Sequence, residues 1–396
     1  MMNNDRNKVE NDICDAVRSF EAMLREQVVR NDRMRVERES GEEKKDPGSG
    51  TVTIGTCAGD GIGPVIMAQT RRILGVLLKE DIESGKIRLL DIDGFTLENR
   101  LATGQTVPDD VMAQMRRCDV LLKGPTTTPN AAMNTKNLES ANVYLRKAFD
   151  LFANVRPVSI PEKGIDWTFF RENTEGEYAL GSRGVRIGDG LDVDFKVTTC
   201  EGTRRIAHAA FDFAGANGKK KVSIVTKANI MKKTDGDFLN ICREVSKDYP
   251  GIEVDSWFVD IMAANLVNED IRSGFQVFLL PNLYGDIITD EAAQIQGGVG
   301  TAGSANIGRN YAIFEAIHGS APRMVEDGIA DLANPASLLK ASVMMLSHIG
   351  SNEEAERLDT ALTAADRKLG PRMTGLPGGA TCAEFAELVI SSIGGF

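Results

Sequence analysis

Two aspartates, Asp286 and Asp290, follow an apolar run at 275–280 that predicts a buried strand. If a helix begins near Gly285, their spacing places both carboxylates on one face, close to the helix N-terminus. Neighbouring like charges repel, whereas a hard divalent cation such as Mg²⁺ or Mn²⁺ takes oxygen ligands of this kind. The pair therefore predicts a metal site. The alternative is a solvated helix start, where the helix dipole favours acidic side chains.

Three arginines, Arg146, Arg156 and Arg171, lie in otherwise apolar stretches of the chain. A guanidinium group binds a carboxylate through two parallel hydrogen bonds, so three arginines at one site imply a substrate with more than one carboxylate. The alternative is three separate surface ion pairs, each of which contributes little to stability.

Further polar residues stand where predicted strands end. Lys227 follows the predicted strand at 222–226, and Asp260 follows another at 254–259. Such strand ends are where α/β proteins collect their active-site side chains. His318 lies in a loop of small residues that can approach a nucleotide closely, with a packed or solvent-facing histidine as the alternative.

Two loops are rich in glycine, proline or threonine. The turn at 59–64 has the glycines of a nucleotide-binding loop but not the G-x-G-x-x-G spacing, so it does not by itself place a dinucleotide there. The loop at 123–129 carries Lys123 and three threonine hydroxyls, which can donate hydrogen bonds to a polar ligand. Such residues are also ordinary in loops.

The composition is that of a soluble globular protein of 396 residues with a formal net charge of -11. This charge argues against nucleic acid or an anionic membrane surface as the main partner. The six cysteines form no C-x-x-C pair, so we expect free thiols and no zinc site. The charged N-terminus and the lack of a long apolar run predict a cytoplasmic protein.

Residues 1–50 differ from the rest of the chain in being rich in both charge signs, and they end in a predicted linker at 44–50. An apolar stripe at helical spacing runs along this extension through Ile13, Val17, Phe20, Leu24 and Val28. The stripe can pack on the body of the protein, pair with another copy, or stay solvated. From Thr51 onward, strands and helices alternate, which predicts a largely parallel sheet covered by helices.

These motifs resemble those of the isocitrate and isopropylmalate dehydrogenase family, the metal-dependent β-decarboxylating dehydrogenases. The likeness runs from about Thr51 to the C-terminus. Its blocks are GDGIGP at 59–64, KGPTTTP at 123–129, SANVYLR at 140–146, NVRP at 154–157, RENTEGEY at 171–178, KANIMK at 227–232, NLYGDIITD at 282–290 and HGSAP at 318–322. Their number and order make a chance match implausible.

The resemblance implies an α/β isopropylmalate/isocitrate dehydrogenase-like fold rather than a Rossmann fold. A large cofactor-binding domain is expected from residues 51–151 and 297–396, and a smaller α/β domain with a dimer clasp from residues 152–296. Residues 1–50 form an extension outside both domains.

The resemblance also implies a reaction, in which hydride transfer from a C2 alcohol to a nicotinamide precedes decarboxylation. It implies that Asp260, Asp286 and Asp290 bind Mg²⁺ or Mn²⁺. Lys227 would take the proton from the C2 hydroxyl, and Tyr178 would return one to the enol carbon. In the family the lysine and the first aspartate reach the site of the neighbouring protomer, so a homodimer or higher homo-oligomer with shared active sites is expected.

The substrate implied by the resemblance is a small tricarboxylate or malate-type acid. Its predicted binding residues are Ser140, Asn142, Arg146, Arg156 and Arg171. Family members that act on isocitrate resemble this chain at the serine and the asparagine, whereas isopropylmalate enzymes present a glutamate and leucines. Homoisocitrate remains an alternative because one methylene is worth only about 1–3 kcal/mol of discrimination, and 3-isopropylmalate is a further one.

The nicotinamide cofactor is either NADP or NAD. Its predicted contacts are Lys123, Thr127, Thr128, Glu315, His318, Gly319, Ser320, Ala321, Arg323 and Asn334. NAD-dependent relatives usually carry an aspartate after HGSAP, where this chain has Arg323 and Met324. A cation there favours the 2′-phosphate of NADP, while Glu326 and Asp327 favour NAD, and the balance leans slightly to NADP.

A different class of function is a non-catalytic regulatory subunit of a hetero-oligomeric isocitrate dehydrogenase. Such chains typically lose a metal carboxylate, the lysine or the tyrosine. Every one of these positions is filled here, which favours an enzyme.

Overall fold

The computed structural model describes residues 2–40, 50–129, 138–181 and 183–394. The predicted linker at 44–50 lies outside these residues except for Gly50. The chain divides into two compact units, which we call the smaller unit (1–44 and 163–288) and the larger unit (45–162 and 289–396). The extension is thus grouped with the smaller unit. That the larger unit binds the cofactor and the smaller one forms the dimer contacts remains a prediction.

Strands and helices alternate along most of the chain. The strands are β1 (Val52–Cys57), β2 (Ile87–Asp91), β3 (Val120–Lys123), β4 (Ala153–Ile160), β5 (Ile165–Glu172), β6 (Val185–Ile187), β7 (Leu191–Val193), β8 (Lys221–Thr226), β9 (Glu253–Phe258), β10 (Val277–Leu280), β11 (Gly303–Ile307) and β12 (Ala312–Ala316). The helices are α1 (Met2–Glu39), α2 (Gly63–Leu77), α3 (Lys79–Glu83), α4 (Leu97–Thr103), α5 (Asp109–Met115), α6 (Ala141–Ala148), α7 (Cys200–Ala216), α8 (Thr234–Val245), α9 (Val259–Val267), α10 (Asn282–Gln296), α11 (Pro322–Glu326), α12 (Ala336–His348), α13 (Asn352–Leu369) and α14 (Cys382–Ile393). Short 3₁₀ helices cover Pro161–Lys163, Ser246–Asp248, Arg272–Gly274, Val299–Thr301, Ala330–Leu332 and Gly370–Arg372.

The larger unit is organised around strands in the order β2-β1-β3-β12-β11-β4. The pairs β2/β1, β1/β3 and β3/β12 are parallel, whereas β11 runs antiparallel to both β12 and β4. Strands β1, β3 and β12 are buried along their whole length, as expected when helices cover both faces of a sheet. The predicted parallel sheet is therefore confirmed for this part of the unit, and an antiparallel hairpin follows it.

The smaller unit is organised around strands in the order β5-β10-β8-β9, and each neighbouring pair is parallel. Its core contains Trp167, Phe169 and Phe278, the last two stacked with their ring centroids 4.3 Å apart. Aromatic packing of this kind stabilises the sheet beyond simple area burial. Strands β6 and β7 form a separate antiparallel hairpin.

Helix α1 packs on the rest of the smaller unit, and the residues that make the contact coincide only in part with the predicted apolar stripe. Met23 and Met34, which lie about three helical turns apart, are buried. Of the stripe, Val17 and Val28 are exposed, while Phe20 stacks on Phe195 with ring centroids 5.0 Å apart. Of the three alternatives for the extension, the structure thus shows packing on the body of the protein. Within the described ranges, no helix has the length and apolarity needed to cross a membrane.

A buried ion pair joins neighbouring strands of the larger unit. Lys123 on β3 lies opposite Glu315 on β12, with Nζ and Oε2 2.8 Å apart, and the lysine side chain is only 2% exposed. Asn306 Nδ2 also donates to the glutamate, at 2.7 Å. Burial alone would raise the pKa of Glu315, but the charges of Lys123 and Arg146 and these hydrogen bonds lower it to about 2. The carboxylate is therefore ionised at neutral pH.

Removing one member of the Lys123–Glu315 ion pair should lower the stability of the protein strongly. In Glu315→Gln the buried ammonium of Lys123 loses its counter-charge, and we expect the free energy of unfolding to fall by about 3–5 kcal/mol. The double variant Lys123→Met/Glu315→Gln should lose clearly less, because neither member of the pair is then left as a buried charge without its partner. Urea denaturation of both variants and the wild type at pH 7 measures the difference, and equal losses in the two variants would contradict it.

The same pair gives the larger unit a pH dependence. A carboxylate whose folded pKa is lowered stabilises the protein above its unfolded pKa of 4.5 and loses that contribution as the pH falls towards 2. The double variant should therefore show a shallower loss of stability between these limits than the wild type. Urea denaturation repeated across this pH range measures the two slopes.

Candidate active site

Helix α10 begins at Asn282, directly after Pro281, and not near Gly285 as expected. Asp286 therefore lies in the second turn of the helix, and the first turn contains no acidic residue. The helix dipole acts mainly on the first turn, so the explanation of these aspartates as an ordinary helix start loses its support. Asp286 and Asp290 still share one face because they are one turn apart.

Asp286 is held between a cation and a phenol of the smaller unit. Arg171, at the end of β5, forms an ion pair with it, and the Tyr178 hydroxyl donates to Asp286 Oδ2 at 2.7 Å. The Arg171 guanidinium also lies over the tyrosine ring, 5.2 Å from its centroid. The arginine side chain is 1% exposed, so its charge needs this carboxylate. The predicted metal ligand and the predicted proton donor are thus in direct contact.

Two residues of α10 hold Arg171 in place, one by accepting its hydrogen bonds and the other by leaving space for its side chain. Asn282 Oδ1 accepts hydrogen bonds from Arg171 Nε at 2.9 Å and from Nη2 at 2.6 Å. A Cβ atom on Gly285 would lie 2.5 Å from Arg171 Cγ, so only glycine lets the arginine cross the helix there. Neither role was predicted, although the glycine immediately before Asp286 was a signal of close approach.

Asp290 lies in the larger unit, since the division between the units falls within α10, after Ile288. Arg156 on β4 donates to Asp290 Oδ1 at 3.1 Å and to the Thr289 hydroxyl at 2.6 Å. The arginine is buried, whereas the aspartate side chain is mostly exposed. Each helix carboxylate therefore has an arginine of its own unit.

Lys227 and Asp260 meet in the smaller unit, with Nζ and Oδ1 2.5 Å apart. Both are partly exposed, at 27% and 58% of the side chain. The hydrogen bond from the lysine lowers the pKa of the aspartate. Behind them, the Lys227 backbone N–H donates to buried Asp235, which pairs with Lys196 at 2.7 Å. This second, buried pair fixes the end of β8, and it was not predicted from the sequence.

The three predicted metal carboxylates do not form one cluster within this chain. Among the residues that the structure describes, there is no group of three or more His, Cys, Asp or Glu side chains placed to hold a metal ion. Asp286 and Asp290 supply carboxylate oxygens only, which suits Mg²⁺ or Mn²⁺ and not a softer metal. The donor chemistry of Asp286 and Asp290 fits the implied metal, and the full ligand set remains a prediction.

Three predicted substrate residues of the larger unit lie at one short helix, whereas Arg156 lies on β4. Ser140 immediately precedes α6, and Asn142 and Arg146 follow on it one turn apart. Asn142 Oδ1 accepts a hydrogen bond from the Thr126 hydroxyl at 3.2 Å, which ties α6 to the loop at 123–129. The convergence of Arg146 with the two other arginines on one substrate remains a prediction.

Three loops of the larger unit meet at the predicted cofactor region, namely those at 59–64, 123–129 and 318–322. The Thr127 and Ser320 hydroxyl oxygens are 2.7 Å apart. Asp60 accepts from the backbone N–H groups of Leu97 at 2.6 Å and Thr127 at 2.8 Å. Gly61 has a φ of +60°, and a Cβ there would lie 1.9 Å from the Ser320 carbonyl oxygen. The turn at 59–64 therefore braces the two other loops, a role of Asp60 that was not predicted.

His318 offers an acceptor to a ligand. Its Nδ1 lies 2.9 Å from the Gly319 carbonyl oxygen, which can only accept, so Nδ1 carries the proton. Burial lowers the pKa of His318, which keeps the ring neutral and leaves Nε2 as an acceptor. Nε2 is buried and has no hydrogen-bond partner among the described residues. The unpaired acceptor His318 Nε2 fits a cofactor that carries hydroxyl or amide donors.

The remaining predicted cofactor contacts differ in their access to solvent. Thr128, Gly319 and Arg323 are exposed. Ala321 adopts the left-handed conformation, with a φ of +44°, at the start of α11. Asn334 Oδ1 accepts from the backbone N–H of residue 336 at 2.9 Å. By contrast, Lys123 and Glu315 are enclosed by their own ion pair and do not reach the surface.

Known proteins resemble this chain over most of its length. The sequence model of the isocitrate/isopropylmalate dehydrogenase family matches residues 53–389. The alpha chain of the mitochondrial NAD-type isocitrate dehydrogenase of Macaca fascicularis is 39% identical over 346 residues, which cover 85% of this chain and 94% of the relative. A regulatory subunit of the mitochondrial NAD-type enzyme of Dictyostelium discoideum is 38% identical over 347 residues, covering 85% and 90%. The crystal structure of isocitrate dehydrogenase from Methylococcus capsulatus matches with a TM-score of 0.75 and 33% identity, covering 86% of this chain and 99% of the other.

These similarities correct one prediction. The expectation of a cytoplasmic protein is contradicted, because both relatives are mitochondrial proteins. A charged N-terminus without an apolar core argued against a secretory signal only, and the step from there to the cytoplasm was too long.

The structural match confirms the predicted α/β fold class, and the motif blocks of the sequence lie within the matched residues. The chain belongs to the isocitrate/isopropylmalate dehydrogenase family.

Proposed function

We propose that this chain catalyses the oxidative decarboxylation of isocitrate to 2-oxoglutarate and CO₂, with NAD as the hydride acceptor and Mg²⁺ or Mn²⁺ as the metal. The observation that carries the proposal is the contact of Asp286 with both Arg171 and Tyr178. It joins a metal carboxylate, a carboxylate-binding cation and a proton donor in one place, which is what this reaction requires.

When bound, the metal would supply Lewis acidity towards the oxygens of the substrate, and the nicotinamide would serve as the hydride acceptor. Asp286 and Asp290 would hold the metal from this chain, and Asp260 would do so from a neighbouring chain. This division follows the family resemblance, in which the residues at the positions of Lys227 and Asp260 reach the site of the neighbouring chain.

The protein's own groups move two protons. Lys227 takes the proton of the C2 hydroxyl as C2 gives up its hydride, so the alcohol becomes a ketone. Loss of CO₂ then leaves the bonding electron pair on C3, and Tyr178 donates a proton to that carbon. The Tyr178 hydroxyl already donates a hydrogen bond to Oδ2 of Asp286, a predicted metal ligand, at 2.7 Å. The net change is the loss of one hydride and one CO₂, with both protons balanced.

The substrate assignment rests on α6. Ser140 and Asn142 provide a hydroxyl and an amide where a tricarboxylate has its third carboxylate, and Arg146, one turn further on, provides charge. A branched alkyl group, as in 3-isopropylmalate, would offer the Ser140 hydroxyl and the Asn142 amide N–H no hydrogen bond, which is costly in a closed site. Homoisocitrate stays the nearer alternative.

The proposed cofactor is NAD rather than the NADP that a cation after HGSAP favours. The two mitochondrial relatives named above are subunits of NAD-type isocitrate dehydrogenases, and Arg323 is an exposed residue on the short helix α11. Exposed Glu326 and Asp327 lie close by in sequence, where acidic groups suit the ribose of NAD and repel a 2′-phosphate.

A second chain is part of the proposal. Apolar side chains close in sequence to Lys227 and Asp260 are exposed, namely Ile230, Met231, Phe258 and Ile261. An apolar surface around catalytic residues is typical of an interface between chains. The relatives are subunits by name, so the partner can be a different chain, and the homodimer remains a prediction.

The regulatory alternative has one observation in its favour, the similarity to a regulatory subunit. Against it, the catalytic positions Tyr178, Lys227, Asp260, Asp286 and Asp290 are all filled, and the structure gives each of them a charged or hydrogen-bonded partner.

The deciding experiment is a spectrophotometric assay of the purified protein with Mn²⁺. Isocitrate, homoisocitrate and 3-isopropylmalate are each tested with NAD and with NADP. We expect isocitrate with NAD to give the highest kcat/KM. Absence of turnover with every pair would overturn the catalytic proposal and favour the regulatory one.

Asp286→Asn should remove metal-dependent turnover. The amide is a weaker ligand than the carboxylate and cannot neutralise Arg171, so we expect kcat/KM to fall on the order of 100-fold or more. Manganese binding followed by electron paramagnetic resonance should weaken in parallel, while light scattering should show an unchanged assembly.

The matched control is Asp237→Asn, an exposed aspartate on α8 of the same unit, which should keep full activity and manganese affinity. Normal manganese binding in Asp286→Asn would show that this aspartate is not a ligand.

A further inference from the structure

The N-terminal helix α1 lies outside the residues that match the family, yet it contacts the segment that leads to Tyr178. Arg30 Nη1 pairs with Glu175 Oε1 at 2.7 Å, and Arg30 Nη2 donates to the Thr174 hydroxyl at 2.9 Å. The glutamate side chain is only 4% exposed. One guanidinium of the extension thus holds two consecutive residues of the segment 172–178.

The segment needs cations because it buries two carboxylates. Glu172 and Glu175 are both buried, and burial together with the charge of Glu175 raises the pKa of Glu172. Glu172 folds the segment back by accepting from the backbone N–H groups of Thr174 at 2.9 Å and Glu175 at 2.6 Å. Arg205 of α7 donates to the same threonine hydroxyl at 3.0 Å. Arg30 therefore compensates charge that the segment cannot place in water.

A chain of hydrogen bonds links this segment to the predicted catalytic groups. The Glu175 carbonyl oxygen accepts from Asn282 Nδ2 at 3.0 Å. The same asparagine accepts from Arg171, which pairs with Asp286, and Asp286 accepts from Tyr178. Every contact in this chain of bonds lies within the smaller unit.

We propose that Arg30 is a positioning residue: through Glu175 and Asn282 it fixes the placement of Arg171 and Tyr178 around Asp286. The inference rests on the proposed function, since it assigns the N-terminal extension a part in the same reaction. The two contacts of Arg30 described above are with Glu175 and Thr174, so it acts through the segment 172–178.

Docking of α1 does not depend on this one arginine. Arg38 pairs with Glu201 at the start of α7, with Nε and Oε2 2.8 Å apart. Asp12 accepts from the backbone N–H of Gly188 at 3.0 Å, and Met23 and Met34 are buried. Removal of the Arg30 charge should therefore leave the helix in place and disturb the segment alone.

Arg38→Gln is the matched control. It removes an ion pair of the same type, between the same helix and another buried glutamate, but one that makes no contact with residues 172–178 among the described interactions. Any effect of simply loosening α1 should appear in both variants.

Kinetics with isocitrate, NAD and Mn²⁺ test the proposal. Arg30→Gln should lower kcat by roughly 10-fold, since a misplaced proton donor slows the chemical step, with a smaller change in the KM for isocitrate. Arg30→Lys should recover part of kcat, because it restores the charge but not the fork of two hydrogen bonds. Arg38→Gln should stay within about two-fold of the wild type.

Amide hydrogen exchange gives a readout that does not require turnover. Peptides covering 173–178 should exchange faster in Arg30→Gln than in the wild type or in Arg38→Gln. Wild-type kcat and exchange in Arg30→Gln, or equal losses in both variants, would overturn the inference. A wild-type protein inactive on isocitrate would instead refute the proposed function, and the exchange comparison would still decide whether Arg30 holds the segment.

Discussion

The pairing of Arg171 with Asp286 constrains much of the smaller unit. A guanidinium that is almost fully buried costs several kcal/mol to desolvate, so it needs a carboxylate and satisfied hydrogen bonds on its remaining donors. Asn282 supplies an acceptor for two of them from the first residue of α10, and Gly285 leaves the space for the arginine to cross the helix. Asn282 is the first residue of the helix, and Asp286, one turn further on, lies beside Tyr178.

Local patterns were enough to predict many of these elements. The apolar run before Pro281 predicted strand β10, and the spacing of the two aspartates predicted their common face, because both signals depend only on near neighbours in the chain. The partner of Asn282 could not be predicted in the same way. It is Arg171, a residue from a distant strand, and nothing in the sequence near residue 282 specifies that contact.

Two other contacts also depend on residues that are far apart in the chain. Lys123 is enclosed by Glu315 of a neighbouring strand, a pairing set by sheet order and not by sequence distance, and its contact with the cofactor stays a prediction. On α1, Val17 and Val28 of the apolar stripe are exposed, although Phe20 of the same stripe stacks on Phe195. The face of α1 that contacts the rest of the unit instead combines Met23 and Met34 with Arg30, whose positive charge pairs with buried Glu175. A count of apolar residues cannot detect a helix face that is attracted by charge.

Charge compensation also explains how an acidic chain can hold an anionic substrate. Each predicted metal carboxylate already has a basic partner: Asp286 has Arg171, Asp290 has Arg156, and Asp260 has Lys227. On the proposed function, a divalent cation that binds the carboxylates makes the two arginines available to the carboxylates of the substrate. If the metal bound alone, the two arginines would lose their carboxylate partners. If the substrate bound alone, the aspartates would lose their arginine partners. Metal and substrate should therefore bind more tightly together than separately, as linkage between the two ligands requires.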